Sequence, residues 1–545
     1  MTFLLNKNIS IMQMRKYKKK EILHTVETLL NANDAIRKTI KSDPSTTLDT
    51  LAACQELGIL IGTYLESLGG RCGHMVRLLE EYCEHIYQVS ANISDEGLYK
   101  GLLERIRVQL TELEQDVWIE VPDDRKEIVF LPYKVSMWDS LESIWRAADE
   151  DKDVDAVVIP IPYYSKNPDG SFKEEHYEGD RYPSYVPVVD YRDYNFQEKR
   201  PDVIFIHNPY DAFNRVTSIP PFFYSDHLKE YTDKLVYVPY YVVPWSIPEH
   251  FVLTPGVISA DIIFVQSEPI KKQYVKLLET KLYHGESRRL EKKIAALGSP
   301  KTDKLLLEIK NRAEMPETWK QRIGNRRVVF FNTNVSLILN NGAHFIDNLY
   351  RIFHVFAAHR DKFVLLWREH PLTMETLHSM HPELHVSYLK LKKEFEEWEL
   401  GILDESEEPH LAMAVSDCYF GAGGSLVTIY SVTGKPMMLT AYHYPEELLE
   451  NEITKEEFYG SLEHRPYYKE KNINALSLFL ENYEEIAGFR EHRLEVISKH
   501  LANLDGTVGS KIYQHVMNEV DYELRDYSGR RERGQVSGRC AEAVY

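Results

Sequence analysis

Cysteine is scarce in this chain, and none of it falls in a pattern typical of disulfides or metal ligands. The 545 residues include 5 cysteines, scattered and without Cys-x-x-Cys spacing. This excludes a disulfide framework and a cysteine-based zinc site. No His-Glu-x-x-His segment occurs either, so we expect no bound metal. The pattern is typical of a protein of the reducing cytoplasm.

Long apolar runs and an excess of basic residues are absent too. Nowhere do about 18 apolar residues follow one another, as a membrane-spanning helix requires. The net charge of −19 argues against a nucleic-acid surface, which needs clustered lysine and arginine. One basic cluster is present, and we expect a solvated helix start there; the alternative is peripheral contact with anionic lipid on the inner face of the membrane. Its members are Arg15, Lys16, Lys18, Lys19 and Lys20.

The first part of the chain has helical periodicity. Between residues 18 and 116 apolar side chains recur every three or four positions, and no strand-like alternation interrupts them. The breaks fall at Asp43-Pro44-Ser45 and Gly69-Gly70, which are typical turn sequences. The sequence therefore predicts an N-terminal α-helical module over residues 1–120.

From residue 121 onward, short apolar runs rich in β-formers alternate with helical stretches, which is the α/β pattern. Their near-continuous apolar character indicates parallel strands covered on both faces. A helix is predicted to begin at Ser136, where the sequence has a capping-box pattern. Residues 121–300 thus predict a first Rossmann-like lobe. Its strands are expected at 127–131, 156–161, 202–206, 235–239 and 262–265.

A second alternating series follows a charged, helical linking segment at about 281–326. Its strands are expected at 328–332, 363–367, 417–420 and 436–439. Residues 301–505 thus predict a second Rossmann-like lobe, and the helices after about 473 are expected to cross back onto the first lobe. We assign 506–545 to the end of a C-terminal helix and a disordered tail.

Ligands of open parallel sheets bind beyond the carboxyl ends of the strands, so the loops there are the first places to search. The loop from Phe420 to Leu426 follows a strand and opens a helix. In it Gly423 and Gly424 permit close approach of a ligand, and the Ser425 hydroxyl can bind phosphate oxygens. The alternative is a tight turn with no ligand.

Two further loops of the second lobe carry candidate residues. Arg368 and His370 directly follow a predicted strand; arginine suits phosphate, and histidine can donate or transfer a proton near neutral pH. Asn332 and Asn334 follow another strand and can bind a base or ribose, or simply cap a turn. In the first lobe, His207 and Asp211 follow a strand and are candidates for catalysis, although a histidine ending a strand is more often structural.

Three segments of the second half resemble motifs of one enzyme family. Gly298 to Asp303 resembles a Gly-x-Pro-Arg-x-Asp segment, and Arg368 to Pro371 resembles Arg-x-His-Pro. The stretch from Ser416-Asp417 to Lys435-Pro436 is similar, without a gap, to a stretch running from Ser-Asp to Lys-Pro. The family is that of the CDP-glycerol glycerophosphotransferases, and the match covers about 140 residues.

The resemblance implies two lobes of glycosyltransferase-B (GT-B) architecture, with an acceptor on the first lobe and a nucleotide donor on the second. It implies transfer of glycerol phosphate from CDP-glycerol to a polymer or glycolipid acceptor of the teichoic-acid type, with no permanently bound cofactor. Arg368, His370 and Ser425 would then hold the diphosphate.

The chain departs from this family at two motifs. The family's Thr-Asp-Tyr-Ser-Ser is replaced here by Gly421 to Ser425, and its first-lobe Trp-His-Gly by a strand without histidine, Val236 to Tyr240. His207 is therefore the predicted replacement base, with Asp211 orienting it, and His370 is a further candidate for catalysis. Two alternatives stay open: a nucleotide-sugar-dependent GT-B glycosyltransferase or epimerase, and an inactive nucleotide-binding or interaction protein.

Overall fold

A computed structural model describes most of the chain, in ten segments. These are residues 14–69, 72–121, 124–167, 169–214, 217–311, 314–342, 344–406, 408–440, 467–469 and 473–521. The chain divides into two compact units. A helical unit comprises Met1–Lys126 with Phe196–Arg200, and an α/β unit comprises Glu127–Asn195 with Pro201–Tyr545. The predicted tail after 521 lies outside the described residues.

The helical unit is built from four long helices, as the periodicity predicts. They are α1 (Lys16–Thr39), α2 (Pro44–Ser67), α3 (Gly73–Ala91) and α4 (Glu96–Glu120). The expected break before α2 is a cap, because the Asp43 carboxylate accepts a hydrogen bond from the backbone N–H of Thr46 at 3.2 Å. Each helix turns an apolar stripe, including Val26, Leu65 and Leu103, into one buried core.

Arg15, Lys18 and Lys19 of the basic cluster, which the sequence predicts to be a solvated helix start, make contacts inside this unit. Arg15 donates to the carbonyl oxygens of Lys199 and Arg200, at 3.0 and 3.2 Å. Lys19 is buried and donates to the carbonyl of Val121 at 2.8 Å. Lys18 forms a salt bridge of 2.9 Å with a glutamate one turn along α1. These contacts favour a structural role for the cluster.

The first lobe of the α/β unit contains a six-stranded sheet of order β2-β1-β5-β7-β8-β9. The pairs from β1 through β9 are parallel. The strands are β1 (Lys126–Leu131), β2 (Val154–Val158), β5 (Val203–Ile206), β7 (Lys234–Tyr237), β8 (Ile262–Val265) and β9 (Ile294–Ala296). Most of their side chains are buried, which explains the near-continuous apolar runs.

Several elements of the first lobe differ from the predictions. The segment that begins at Val135 is a 3₁₀ helix, Val135–Ser140, with no side-chain cap, so the capping box predicted at Ser136 is wrong. Strand β9 lies in the segment predicted to be a helical linker. The segment after β2 contains β3 (Tyr163–Lys166) and β4 (Phe172–His176), which join β6 (Thr217–Ser218), a strand that follows β5, in a small antiparallel sheet of order β4-β3-β6.

The second lobe contains a six-stranded sheet of order β12-β11-β10-β13-β14-β15 with every pair parallel. In chain order this is 3-2-1-4-5-6, the doubly wound Rossmann arrangement. The strands are β10 (Arg327–Thr333), β11 (Phe363–Glu369), β12 (Gly401–Leu403), β13 (Cys418–Gly421), β14 (Met437–Leu439) and β15 (Tyr468–Lys469). The predicted fold class, two Rossmann-like lobes after a helical module, is confirmed.

Most of the other described helices belong to the α/β unit. They are α5 (Glu142–Asp149), α6 (Phe196–Lys199, in the helical unit), α7 (Ser225–Lys229), α8 (Glu249–Val252), α9 (Pro255–Ser259), α10 (Glu268–Lys281), α11 (Ser287–Lys293), α12 (Lys301–Lys310), α13 (Glu317–Ile323), α14 (Val335–Asn341), α15 (His344–Ala358), α16 (Thr373–Met380), α17 (Pro382–Glu397), α18 (His410–Val415), α19 (Ser425–Ser431), α20 (Asn474–Glu481), α21 (Tyr483–Gly488) and α22 (Arg490–Ser498). Among the described residues, no helix combines the length and apolarity needed to cross a membrane.

The chain returns to the first lobe after building the second. Residues 508–521 are helical, and Val508, Ile512 and Val516 belong to the core of the first lobe. The carboxylate of Asp303 accepts hydrogen bonds from the backbone N–H groups of Val508 and Gly509, at 3.2 and 2.8 Å, so it caps this helix. The predicted crossing back is therefore confirmed for residues 508–521. It is wrong for the helices over 474–498, because Ala475, Phe479 and Ile497 lie in cores built mainly by the second lobe.

Candidate functional site

The candidate residues of the second lobe meet at one edge of its sheet. Asn332, near the end of β10, is in register with Arg368 of β11 on one side and with Gly421 of β13 on the other. The three predicted loops therefore leave adjacent strands at their carboxyl ends. Between β10 and β13 the strand order reverses, which makes this the topological switch point where doubly wound folds bind ligands.

Asn334 joins the two loops that flank the switch point. Its side-chain oxygen accepts a hydrogen bond from the backbone N–H of Leu337 at 3.1 Å and caps α14. Its side-chain nitrogen donates to the carbonyl of Gly423 at 3.0 Å. Asn332 is buried, and its amide donates to the hydroxyl of Tyr419 at 3.2 Å. Both asparagines therefore hold the loops in place, and Asn334 is the more accessible of the two.

The glycine loop needs its glycines for different reasons. Gly421 has φ +150°, and a Cβ on it would lie 2.2 Å from the carbonyl oxygen of Asn332. Only glycine lets the two strand ends approach this closely. Gly424 has φ +151° and open space around it, and it is exposed together with Ser425. The exposed end of the loop therefore presents backbone and a hydroxyl group, with little side chain to block a ligand.

Arg368 is placed at this edge but is already paired. It is buried, and its guanidinium donates to the carboxylate of Asp404 at 2.7 Å and to the hydroxyl of Ser406 at 3.1 Å. Asp404 follows β12, the neighbouring strand. These contacts order the loop after β12, and binding of a diphosphate by Arg368 stays a prediction.

His370 lies one residue beyond β11 and is half-buried. Its Nδ1 accepts a hydrogen bond from the backbone N–H of Leu372 at 3.1 Å. Burial lowers the pKa of His370, so the ring is neutral at pH 7. With Nδ1 accepting, the proton of the neutral ring resides on Nε2, which can donate a hydrogen bond to a ligand oxygen.

His207 is placed at the switch point of the first sheet, directly after β5, but it is fully buried. Its Nε2 accepts from the backbone N–H of Tyr133 at 2.7 Å, and its Nδ1 lies 2.8 Å from the hydroxyl of Ser140. Burial, together with the nearby ammonium of Lys301, lowers the pKa of His207 to about 3. Both ring nitrogens are therefore occupied, and this geometry contradicts the hypothesis of an accessible base.

Asp211 does not orient His207. Its carboxylate accepts from the backbone N–H and the hydroxyl of Ser225, at 2.9 and 3.0 Å, and thereby holds the start of α7. The residue is buried and has φ +48°, a conformation that few non-glycine residues adopt. Burial raises the pKa of Asp211 to about 6. The structure thus assigns it a turn-stabilising role.

A buried charged cluster that the sequence analysis missed joins the two lobes. Asp139 of the first lobe forms a salt bridge with Lys301, the first residue of α12, and lies 3.3 Å from Nε2 of His410 at the start of α18. All three are buried. Burial by itself raises the pKa of Asp139, but Lys301 and His410 more than offset it and hold that pKa well below its usual range. Nothing in the sequence near His410 marks it, because its partner is remote in the chain.

A second pair of charges extends this cluster. Lys304, one turn after Lys301, lies 3.3 Å from the carboxylate of Glu142 and also forms a salt bridge with Glu408. Glu142 accepts a hydrogen bond from the hydroxyl of Tyr185 at 2.7 Å. The first turn of α12 therefore carries two ammonium groups into a set of carboxylates from both lobes. This contact stabilises one arrangement of the lobes.

Groups that could hold a metal ion were found at one place among the described residues. His74 of α3 and Glu112 and Asp116 of α4 bring one ligand atom each within 4.8 Å of one another. All three are in the helical unit, away from the strand-end loops along the chain, and two of them are exposed. The strand-end site itself shows no such group, and the expectation of no metal there stays a prediction.

Comparison with known proteins gives only distant similarity. No protein-family model matches the chain, and no curated protein matches it. Among solved structures it is similar to the wall teichoic acid polymerase TagF, with 14% identity over 83% of this chain and 99% of that one and a TM-score of 0.43. It is also similar to a UDP-N-acetylglucosamine 2-epimerase, with 10% identity over 73% and 97% of the two chains and a TM-score of 0.45. A further example is MnaA of S. aureus with UDP, with 10% identity, the same coverage and a TM-score of 0.41. Values this low leave the function to be argued from the site.

Proposed function

We propose that this chain is a transferase of the CDP-glycerol glycerophosphotransferase type, which binds the diphosphate of a CDP-linked donor at the carboxyl edge of the second sheet. The observation that carries the proposal is the switch point between β10 and β13, where an exposed glycine loop faces an asparagine-capped helix. Two of the three motif resemblances, Arg368 to Pro371 and Ser416 to Pro436, include strand ends of this edge, whereas Gly298 to Asp303 follows β9 of the first sheet. Donor identity and transfer chemistry are parts of the proposal.

The residues at this edge would divide the work of donor binding. Ser425 and the exposed backbone at Gly424 supply hydrogen-bond donors to phosphate oxygens. His370 follows β11, which is two strands away from β13 in the sheet, and its Nε2–H can donate a hydrogen bond to a phosphate oxygen. Asn334 keeps the glycine loop in position, and Arg368 acts indirectly by ordering the segment from Asp404 to Ser406.

The transfer itself requires a hydroxyl group of the acceptor to attack the β-phosphorus of CDP-glycerol. A P–O bond forms to the acceptor, the bond to the bridging oxygen breaks, and CMP leaves with the electron pair. The proton of the hydroxyl passes to a base. With His207 and Asp211 engaged in structural hydrogen bonds, His370 is the predicted catalytic residue that the proposal retains. Its Nδ1 would take the proton once the contact with the N–H of Leu372 opens, while Nε2–H stays on the phosphate of the donor.

Thermal unfolding with and without nucleotides tests the donor class. We expect CDP and CMP to raise the melting temperature, because a ligand that binds only the folded state stabilises it. Stabilisation by UDP or GDP alone would favour the nucleotide-sugar alternative. Unchanged melting with all four nucleotides would contradict nucleotide binding and favour an interaction protein.

Two variants with matched controls test the site. Ser425→Ala and His370→Ala should each weaken CDP binding about tenfold, corresponding to loss of one charge-assisted hydrogen bond. Ser379→Ala and His378→Ala change the same residue types at exposed positions on α16, outside the strand-end loops, and should leave CDP affinity unchanged. Equal effects of site and control variants would remove this site assignment.

Turnover is tested by release of CMP from CDP-glycerol in the presence of a polyol-phosphate or glycolipid acceptor. His370→Ala should reduce the rate more than the affinity if the ring takes the proton. The polymer or glycolipid acceptor, the cytoplasmic location and the membrane contact stay predictions from the sequence.

A further inference from the structure

An open groove runs between α2 and α3 of the helical unit. It has a volume of about 420 Å³ and is lined by residues 55–66 of α2 and 76–87 of α3. Eleven residue steps correspond to about 16 Å along a helix, or three turns. The groove is therefore as long as a short helix lying parallel to the pair.

Glycine makes the groove deep on the α2 side. Gly58 and Gly62 are four residues apart and lie on the same face of α2. A Cβ on Gly58 would lie 2.8 Å from the ring of Tyr82, so the two helices approach closely there. A Cβ on Gly62 would lie 3.9 Å from Leu79, an ordinary contact, so the absence of a side chain at Gly62 leaves space that a ligand can use.

The walls of the groove are apolar and exposed. Leu79 and Val76 form part of the floor, while Ile59 and Tyr87 stand at the sides with 55% and 60% of their surfaces exposed. Large apolar side chains this exposed next to a concave surface are typical of interaction sites. An amphipathic helix buries its own apolar stripe in a groove of this kind.

The negative charge at the rim of the groove favours a basic partner over an acidic one. The lining includes three carboxylates, Glu66, Glu80 and Glu84, and no basic side chain. Glu84 accepts a hydrogen bond from the neutral side chain of Gln88 at 2.9 Å, and none of the salt bridges identified among the described residues involves Glu66, Glu80 or Glu84. A basic partner would neutralise them. An anionic lipid surface would be repelled, and a second copy of the same face would set carboxylates against carboxylates.

We infer that this groove binds an amphipathic helix of a partner protein, with an apolar stripe facing Gly62 and Leu79 and lysine or arginine on its flanks. The inference uses only the helical unit and is independent of the proposed transferase function. Nucleotide binding measured on the same samples separates the two, because loss of helix binding leaves the strand-end loops unchanged.

The probe is a fluorescein-labelled 14-residue peptide of leucine, alanine and lysine, with leucines at helical spacing, measured by fluorescence anisotropy with the full chain. We expect it to bind at least tenfold tighter than the same peptide with glutamate in place of lysine. Equal binding of the two peptides, or binding of neither, would overturn the inference.

Shape and charge are then changed separately. Gly62→Leu fills the groove with no change in charge, and Gly101→Leu on α4, where a Cβ meets nothing within 4 Å, is its matched control. The double variant Glu80→Lys/Glu84→Lys reverses the charge of two side chains at the rim of the groove. Its control, Glu27→Lys/Asp49→Lys, makes the same change in charge at exposed positions elsewhere in the helical unit. Only the two groove variants should lower the affinity for the lysine peptide, by tenfold or more.

Two results would replace the inference with another occupant. Sedimentation that shows a dimer lost in Gly62→Leu but kept in Gly101→Leu would assign the groove to a second copy. Binding to phosphatidylserine vesicles that is lost only in the groove variants would assign it to lipid. Either result contradicts a basic partner helix.

Discussion

The two lobes carry the same kind of sheet edge and use it differently. In the first lobe, His207 fills the switch point, buried and hydrogen-bonded through both ring nitrogens. In the second, the corresponding position is a glycine loop whose outer residues are exposed. Both His207 and the glycine loop therefore lie at the carboxyl end of a parallel strand, so this position alone does not identify a ligand site. What separates a ligand site from a structural contact is how much side-chain volume and hydrogen-bonding capacity remains open.

The first-lobe edge is used to hold the lobes together. The 3₁₀ helix after β1 contributes Ser140 to His207 and Asp139 to the salt bridge with Lys301. The same turn therefore both closes the first switch point and contacts the second lobe. We therefore expect substitutions at the buried first edge to lower mainly the free energy of unfolding, and substitutions at the exposed residues of the second edge, such as Ser425, to weaken mainly ligand binding.

The largest expected effect is at Lys301. Lys301→Met leaves the buried carboxylate of Asp139 without its cation, and breaking a buried pair in this way costs roughly 3–5 kcal/mol. Urea unfolding monitored by tryptophan fluorescence measures it. Lys310→Met, at the exposed end of the same helix, is the control and should cost less than about 0.5 kcal/mol. Equal losses of unfolding free energy in the two variants would contradict a stabilising contact between the lobes at Asp139 and Lys301.

Next in size is the glycine loop. Gly421→Ala should destabilise the chain by about 3 kcal/mol, because the new Cβ meets the Asn332 carbonyl and the backbone is held at φ +150°. Gly423→Ala is the matched change: its Cβ would only touch Leu439 at 3.9 Å, so its stability should stay within about 0.5 kcal/mol of the parent. Thermal and urea unfolding compare the two. A Gly421→Ala protein as stable as Gly423→Ala would contradict the close approach.

A smaller effect is the loss of stability at acid pH that His207 causes. The folded-state pKa of His207 is about 3, below its ordinary value of 6.5, so the unfolded chain binds the proton more tightly. The stability this provides is fully present above pH 6.5 and is lost as pH falls, by about 2 kcal/mol between pH 7 and pH 5. His207→Gln should remove that part of the slope in urea unfolding, and His227→Gln, a histidine on α7, should keep it. An unchanged slope in His207→Gln would contradict a buried neutral ring.

The smallest effect has the opposite sign. The folded-state pKa of Asp211 is about 6, above its ordinary value of 3.8, so the folded chain binds the proton more tightly. Its contribution to stability therefore rises as pH falls through 6, by about 1 kcal/mol between pH 7 and pH 5. Asp211→Asn should make the overall loss at pH 5 larger than in the parent. A smaller loss would show that the Ser225 hydrogen bonds favour the charged form more than burial opposes it.

The sequence predicted the long elements and the two-lobe order, because buried parallel strands and amphipathic helices leave strong apolar patterns. It missed the three-residue strands β9 and β12 and the two-residue β15, which are too short to show a period. At Ser136 the local capping pattern was overridden: the hydroxyl of Ser140 and the packing of Trp138 favour a 3₁₀ turn. Local signals fail where tertiary contacts decide.

The sequence predicted which strand-end loops lie next to one another, but not which side chains pair there. Which strand ends are neighbours follows from the topology, so the meeting of the Asn332, Arg368 and Gly421 loops could be anticipated. The salt bridge of Arg368 with Asp404, 36 residues later, and the contact of His410 with Asp139 could not, because each joins residues remote in sequence with no motif to connect them.

The helix at 508–521 has a consequence for how the protein is made. Its side chains complete the core of the first lobe, whose strands are translated hundreds of residues earlier. The first lobe therefore emerges from the ribosome without part of its core. It can complete that core only after the second lobe and residues 508–521 have been synthesised. Premature stop codons upstream of Val508 would leave this early-made lobe exposed to chaperones and proteases, however intact its own sequence.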